Sequence, residues 1–173
     1  MHLLRCNVMI NHVSWYTVVP TLVFAGSNPL PKQGIGPMAS LPEGISRWVS
    51  LLETDPFIGN SPDFQLPKQL EMIHVPIQDY SIPTKDQIHG VLSFIDESIK
   101  KSLPVYVSCA HGLGRTGVVI ACFLAFYHRI SGEQALSMLT ELRKSAGFCL
   151  DSDSPETHEQ CTFVRTLFPG YIL

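Results

Sequence analysis

The length, composition and charge of the chain limit the kind of protein it is. Its 173 residues are 45% hydrophobic and 16% charged, which predicts one compact domain over 1–173 and excludes a disordered or coiled-coil chain. The formal net charge of -3 provides no broad cationic surface. We therefore expect neither a nucleic-acid partner nor a membrane partner.

The cysteine pattern indicates a reducing compartment. The five cysteines are odd in number and never form a CxxC pair, so we predict neither a disulfide framework nor a zinc site, and we expect the cytoplasm. The N-terminal segment MHLLRCNVMINH contains an arginine and no small-residue cleavage site, so we predict that it is not a secretory signal. The longest apolar run, Val118 to Tyr127, is shorter than the ~20 residues of a membrane-spanning helix and predicts a buried core helix.

In the first half of the chain the elements are short. Ser14 to Ala25 is rich in aromatic and β-branched residues and predicts two strands joined by a turn. Two segments rich in proline and glycine, Gly26 to Gly44 and Asp55 to Lys68, predict surface loops. The apolar spacing of Ile45 to Leu52 fits a helical face as well as a buried strand, whereas Met72 to Ile77 predicts a strand.

In the second half, three start signals predict capped helices. These signals are Thr84 with Gln87, Ser131 with Gln134, and Ser154 before Pro155. Between the first two, PVYVS at 104–108 predicts a buried strand, and a glycine-rich turn leads into an apolar helix ending near Arg129. Alternating strands and helices predict an α/β fold with a largely parallel central sheet of four to five strands flanked by helices.

The turn after that buried strand carries the clearest chemical signal. Cys109 and Arg115 are separated by five residues, and Thr116 follows. A loop of this length at a helix start directs backbone N–H groups at one tetrahedral anion, and Arg115 adds a bidentate fork to two phosphate oxygens. Cys109 is expected to be a thiolate nucleophile, because the helix N-terminus and Arg115 both stabilise its negative charge. Thr116 can donate a hydrogen bond to the sulfur.

The turn has two other interpretations. Gly112, Gly114 and Gly117 satisfy GxGxxG, but the second strand and acidic residue of a dinucleotide site do not follow, and a GxxxxGK[ST] phosphate loop is missing. The other interpretation is a buried structural cysteine beside a surface arginine.

The turn resembles the CxxGxxR[ST] signature of cysteine-dependent protein tyrosine phosphatases, and the chain is most similar to small atypical dual-specificity phosphatases. SWYTVVPTLVFAGS, QDYSIPTKDQI and PETHEQ are similar to the family's entry strands, general-acid loop and last helix. The resemblance implies a dual-specificity phosphatase-like fold, a strand at Ile45 to Leu52, a phosphocysteine intermediate, and no cofactor or metal. The implied substrate-binding residues are Ala110, His111, Gly112, Leu113, Gly114, Thr116 and Gln160.

The remaining site residues are assigned with their alternatives. The resemblance makes Asp79 the general acid, although its position alone fits a turn residue equally well, and Asp86 is the nearest rival. Gln160 matches a position at the pocket mouth or is a solvated helix residue. For His111 we favour substrate recognition over catalysis. Ser108 departs from the family, which usually has histidine before the nucleophile to hold the loop and tune the thiol.

The predicted function is a metal-independent phosphatase for phosphotyrosine, and also phosphoserine or phosphothreonine, in proteins, acting as a monomer. An RNA 5'-triphosphatase is the enzymatic alternative, disfavoured by the net charge and by Asp79. Phosphoinositide hydrolysis is disfavoured because the loop interior from Ala110 to Gly114 has no lysine. A catalytically weak phosphopeptide-binding module is the non-enzymatic alternative.

Overall fold

The arrangement of strands and helices places the Cys109 turn at the carboxyl end of the central strand of a sheet. The computed structural model describes residues 15–30, 41–56, 69–148 and 153–169. In chain order its elements are β1 (Trp15–Val19), β2 (Val23–Ser27), β3 (Arg47–Ser50), β4 (Glu71–His74), α1 (Lys85–Lys100), β5 (Val105–Cys109), α2 (Gly114–His128), α3 (Gly132–Ser145) and α4 (His158–Leu167).

The five strands form one mixed sheet in the order β1-β2-β5-β3-β4. The β1 and β2 strands pair antiparallel, while every other neighbouring pair is parallel. The predicted α/β fold with a largely parallel sheet is confirmed. Because β5 lies in the middle of the order, its carboxyl end at Cys109 is flanked by the carboxyl ends of β2 and β3, where open α/β sheets bind ligands.

The α2 helix is the centre of the larger hydrophobic core. Its residues are buried without interruption from Gly114 to Ala125, and it packs against β5 and all three other helices. The opposite face of the sheet carries a smaller cluster around Trp48 and Tyr106. Successive residues of a strand point to opposite faces of the sheet, so the side chains of Cys109 and Ser108 lie on opposite sides. The β5 strand is buried on both faces.

Most of the predicted elements are confirmed. Residues 47–50 form a strand, and Thr84 and Ser131 cap α1 and α3 through capping boxes with Gln87 and Gln134. The parts of the two predicted surface loops at 31–40 and 57–68, and the N-terminal segment, lie outside the described residues.

The predicted start of the last helix is wrong. The cap of α4 is Thr157, whose hydroxyl accepts from the Gln160 N–H and whose N–H donates to the Gln160 side chain. Ser154 instead donates its hydroxyl to the Leu113 carbonyl oxygen at 2.8 Å. The hydroxyl that the sequence suggested as a helix cap is therefore used to hold the Cys109 turn.

Candidate active site

The floor of the site is Cys109, the last residue of β5. Its side chain is 2% exposed and contacts the larger core. The residues predicted to contact substrate follow it in the turn to α2, where His111 is exposed, Ala110 and Leu113 are half-buried, and Gly112, Gly114 and Thr116 are buried. The nucleophile predicted from the sequence therefore ends β5 immediately before the predicted anion-binding loop.

The Leu113–Gly114 peptide directs its N–H group toward the interior of the turn. The Leu113 carbonyl oxygen accepts from the Gly117 N–H at 2.9 Å and from the Ser154 hydroxyl, so it points along α2 and away from the turn. A trans peptide places each N–H opposite the preceding carbonyl group, so the Gly114 N–H points back into the turn. This is the orientation that an anion at a helix N-terminus requires.

Glycine is required at position 112. The backbone of Gly112 has a φ of +73°, and a Cβ atom there would lie 2.4 Å from the carbonyl carbon of Gly26. A side chain would therefore be strained in its backbone conformation and would collide with the backbone of β2. This close approach fixes the height of the loop above the sheet.

Arg115 connects the loop to the segment from Pro76 to Ser81, which carries the predicted acid Asp79 and which we call the acid segment. Its side chain is only 4% exposed, and its Nη1 donates to the carbonyl oxygens of Ile77 at 3.1 Å and Leu51 at 3.4 Å. Its Nη2 forms an ion pair with Asp79 Oδ1 at 2.8 Å. The Nε of Arg115 is buried and has no hydrogen-bond partner within the described part of the chain. One edge of the guanidinium group is therefore fixed by protein oxygens, while Nε keeps a free donor.

The Thr116 hydroxyl is a second buried donor in the loop. It has no hydrogen-bond partner among the residues that the structure describes, so the predicted bond to the Cys109 sulfur is not formed in this structure. A buried hydroxyl without a partner costs free energy in the unliganded protein. Thr116 and the Arg115 Nε thus both retain hydrogen-bonding capacity at the candidate anion site.

The segment that carries Asp79 is fixed at both ends. Gln87 Nε2 donates to the Pro76 carbonyl oxygen at 2.8 Å, and the Asp79 N–H donates to Glu53 Oε1 at 2.6 Å. The next residue, Tyr80, is 61% exposed and has a φ of 59°, which is uncommon for a residue with a side chain. These contacts hold the Asp79 carboxylate beside the guanidinium group. Asp86, the rival acid, lies exposed in the first turn of α1.

Gln160 lies under the acid segment. It is fully buried, and its Nε2 donates to the Ser81 carbonyl oxygen at 3.1 Å, while its Oε1 accepts from the Glu156 and Thr157 N–H groups. Its predicted role at the pocket mouth stays a prediction. The contacts indicate that it connects α4 to the acid segment.

Ser108 acts on the opposite face of the sheet from the nucleophile. Its Oγ accepts a hydrogen bond from Trp48 Nε1 at 2.8 Å, and both residues are fully buried. Its carbonyl oxygen accepts from the Leu51 N–H at 2.8 Å. The residue that replaces the usual histidine therefore fixes β5 to β3, and its side chain points away from Cys109.

The other described cysteines do not suit nucleophilic chemistry. Burial raises the pKa of Cys122 to about 12, so this thiol stays neutral at physiological pH. Burial also raises the pKa of Cys161, although Arg165 opposes that shift. Among the described residues, no group of three or more His, Cys, Asp or Glu side chains is arranged to hold a metal ion.

Several contributors to the site were missed by sequence reasoning. Glu53, Tyr80, Ser154 and Glu156 come from three separate segments, and none was predicted as a site residue. One signal was available for Glu53, because it follows β3 at the carboxyl edge of the sheet. Tyr80 and Glu156 lie in the segments similar to the family's general-acid loop and last helix, whereas Ser154 was interpreted as a helix start.

A family model described as "Polymorphic toxin system, DSP-PTPase phosphatase" matches residues 41–128, just over half of the chain. This segment includes the acid segment, Cys109 and Arg115. The chain belongs to this family. The predicted resemblance to small dual-specificity phosphatases is confirmed.

Relatives of this DSP-PTPase phosphatase chain include a curated protein and solved structures. The uncharacterized protein MJ0215 of Methanocaldococcus jannaschii is 34% identical over 77 residues, 44% of this chain and 41% of that protein. The chain thus spans about four tenths of that relative's length.

Two crystal structures share the fold. Tk-PTP in the active form is 22% identical, with 90% of this chain and 97% of that chain covered at a TM-score of 0.66. PTPMT1 in complex with PI(5)P is 16% identical, with 88% of this chain and 93% of that chain covered at a TM-score of 0.66.

Within the described residues, no helix is long and apolar enough to cross a bilayer.

Proposed function

We propose that the chain hydrolyses phosphotyrosine in proteins, and phosphoserine and phosphothreonine more slowly, through a phosphocysteine intermediate. The ion pair between Arg115 and Asp79 at 2.8 Å carries this proposal. It brings an anion-binding cation and a carboxylic acid from separate segments to the same end of the sheet as Cys109. Membership of the phosphatase family supports it.

The proposed first step transfers the phosphoryl group to sulfur. The Cys109 thiolate attacks phosphorus, the bond from phosphorus to the substrate oxygen breaks, and Asp79 in its protonated form gives its proton to that oxygen. The Arg115 guanidinium and the loop N–H groups bind the non-bridging oxygens. Because the incoming phosphate is a dianion, it competes with the Asp79 carboxylate for Arg115.

The proposed second step regenerates the thiolate. Water attacks phosphorus, the sulfur–phosphorus bond breaks, and the Asp79 carboxylate accepts the proton, so inorganic phosphate leaves. No metal is needed, since the loop and Arg115 supply the positive charge. The exposed ring of Tyr80 beside the acid offers a surface for the aromatic ring of phosphotyrosine, which supports the preference over phosphoserine.

The proposal is tested by turnover of p-nitrophenyl phosphate and a phosphotyrosine peptide in the presence of a chelator. We expect the parent to turn over both, and Cys109→Ser to turn over neither while it still binds inorganic phosphate. Retained turnover in Cys109→Ser would exclude the phosphocysteine mechanism. Binding without turnover in the parent would identify a phosphopeptide-binding module.

We also propose that the protein acts in the cytoplasm as a monomer. The mechanism needs a reduced Cys109, and the described cysteines Cys109, Cys122 and Cys161 are free thiols. Fractionation and size-exclusion chromatography test these two points. Recovery in an oxidising compartment, or elution as a stable dimer, would contradict them.

A further inference from the structure

Two adjoining cavities lie beside the Cys109 loop. One, of about 270 Å³, is lined by Tyr80, Leu113, Asp153 and Glu156. The other, of about 470 Å³, lies between α3 and the start of α4 and shares Asp153 and Glu156 with the first. We call the two together the mouth groove. It leads from the nucleophile's loop along the helices, so a polypeptide whose phosphorylated residue occupies the loop has a path in this direction.

The shared wall of the mouth groove is acidic. Glu156 Oε2 lies against the loop itself, because a Cβ atom on Gly114 would be 2.4 Å from it. Asp153 is exposed, and neither carboxylate forms an ion pair with another described residue. Both negative charges therefore border a site whose own ligand is an anion.

Two arginines near this wall have other partners. Arg143 is 5% exposed, with its guanidinium group over the Phe148 ring 5.5 Å from the centroid. Burial lowers its pKa, while Tyr16, Glu156 and Asp153 act in the opposite direction. Arg165, further along the groove, is paired with Glu133. The charged residues that line the cavity next to the loop are Asp153 and Glu156, both acidic.

We propose that the mouth groove binds the polypeptide flanking the phosphorylated residue and selects a lysine or arginine next to it. This inference rests on the proposed phosphatase function. The buried donors of the loop, Arg115 Nε and Thr116 Oγ1, have no hydrogen-bond partner among the described residues and are available to the phosphate. Asp153 and Glu156 attract a flanking cation and repel a flanking carboxylate. The same wall disfavours polyanionic substrates such as RNA or multiply phosphorylated lipid headgroups.

The test compares phosphotyrosine peptides that differ in one flanking residue, which is arginine, glutamine or glutamate. Exposed ion pairs each change an equilibrium by about one and a half- to fivefold, so the change from attraction to repulsion at two carboxylates should make kcat/KM about tenfold higher with arginine than with glutamate. The ratio should fall toward one in concentrated salt, because surface charges are then screened.

Substitutions test whether the preference for a flanking arginine comes from the mouth groove. Asp153→Asn combined with Glu156→Gln should reduce the arginine-to-glutamate ratio to about twofold or less, as expected when both charged partners are lost. Glu141→Gln with Glu159→Gln removes the same net charge at exposed positions outside both cavities and should keep the ratio. A parent ratio near one, a ratio unchanged in the groove variant, or faster turnover of phosphoinositide vesicles than of any peptide would overturn the inference.

Binding separates this inference from the proposed function. The same peptides are titrated calorimetrically into Cys109→Ser, which should bind the arginine peptide about tenfold more tightly than the glutamate peptide. Charge-selective binding without turnover in the parent would contradict the phosphatase mechanism and retain the groove. Turnover that is indifferent to flanking charge would retain the phosphatase and reject the groove.

Discussion

Asp79→Asn separates two effects of one carboxylate. In the unliganded protein Asp79 Oδ1 is 2.8 Å from Arg115 Nη2, and the Asp79 side chain is 40% exposed. During turnover the same carboxyl group must give a proton to the leaving oxygen. The substitution therefore removes an acid and also removes a competitor of phosphate for Arg115.

The substitution should lower kcat strongly and strengthen the binding of phosphate slightly. A positioned general acid contributes about 10²- to 10⁴-fold to rate, so kcat on phosphotyrosine should fall by at least about 10². Solvent screens the partly exposed ion pair, whose loss corresponds to at most about 1 kcal/mol, so inorganic phosphate should bind about two- to fivefold more tightly. A residue needed only for folding would not lower kcat and the inhibition constant of phosphate together.

The assay measures kcat, KM and the inhibition constant of phosphate for the parent and for Asp79→Asn. The loss of rate should shrink for aryl phosphates with more acidic leaving groups. Asp86→Asn makes the same charge change in the first turn of α1 and is the matched control.

The two proposed effects of Asp79 would be refuted if Asp79→Asn kept phosphotyrosine turnover within a few-fold of the parent, or if phosphate bound more weakly. A large loss in Asp86→Asn instead would transfer the acid role to that residue.

Three further predictions concern the loop and its support. Gly112→Ala should lower the free energy of unfolding by about 1–3 kcal/mol in denaturant titration, whereas Gly90→Ala, at an open helical position, should raise it by about 0.5–1 kcal/mol. Ser108→Ala removes the hydrogen bond that Ser108 Oγ accepts from Trp48 Nε1 and should lower the free energy of unfolding by about 0.5–1.5 kcal/mol, and an unchanged midpoint would contradict this support. Arg115→Lys should lose both turnover and phosphate binding, because an ammonium group lacks the planar fork; retained binding in calorimetry would contradict the bidentate role.

The local part of the site could be predicted because its residues are close in sequence. Cys109 and Arg115 belong to one turn, whose geometry follows from a strand, a loop of fixed length and a helix start. The acid was harder, since Asp79 alone fits a turn residue. What the sequence could not supply was the contact with Glu53 and the cover provided by Glu156, because both depend on how distant segments pack.

Two elements show why parts of the fold were ambiguous. The β3 strand lies between β4 and β5 and is buried at every residue, so the alternating pattern that distinguishes a strand from a helix is lost. The start of α4 had two overlapping signals, a Ser-Pro pair at 154–155 and a Thr-x-x-Gln pattern at 157–160. Only the tertiary contact between Ser154 and Leu113 decides between them.

The central claim is that Cys109 carries the phosphoryl group during turnover. The direct measurement is a rapid quench with denaturant while a phosphotyrosine peptide is being turned over, followed by peptide mapping by mass spectrometry. The phosphocysteine mechanism predicts a phosphoryl group on Cys109 that forms before free phosphate appears and is missing in Cys109→Ser. Steady turnover with Cys109 unmodified at every quench time, or with the phosphoryl group on another residue, would contradict it.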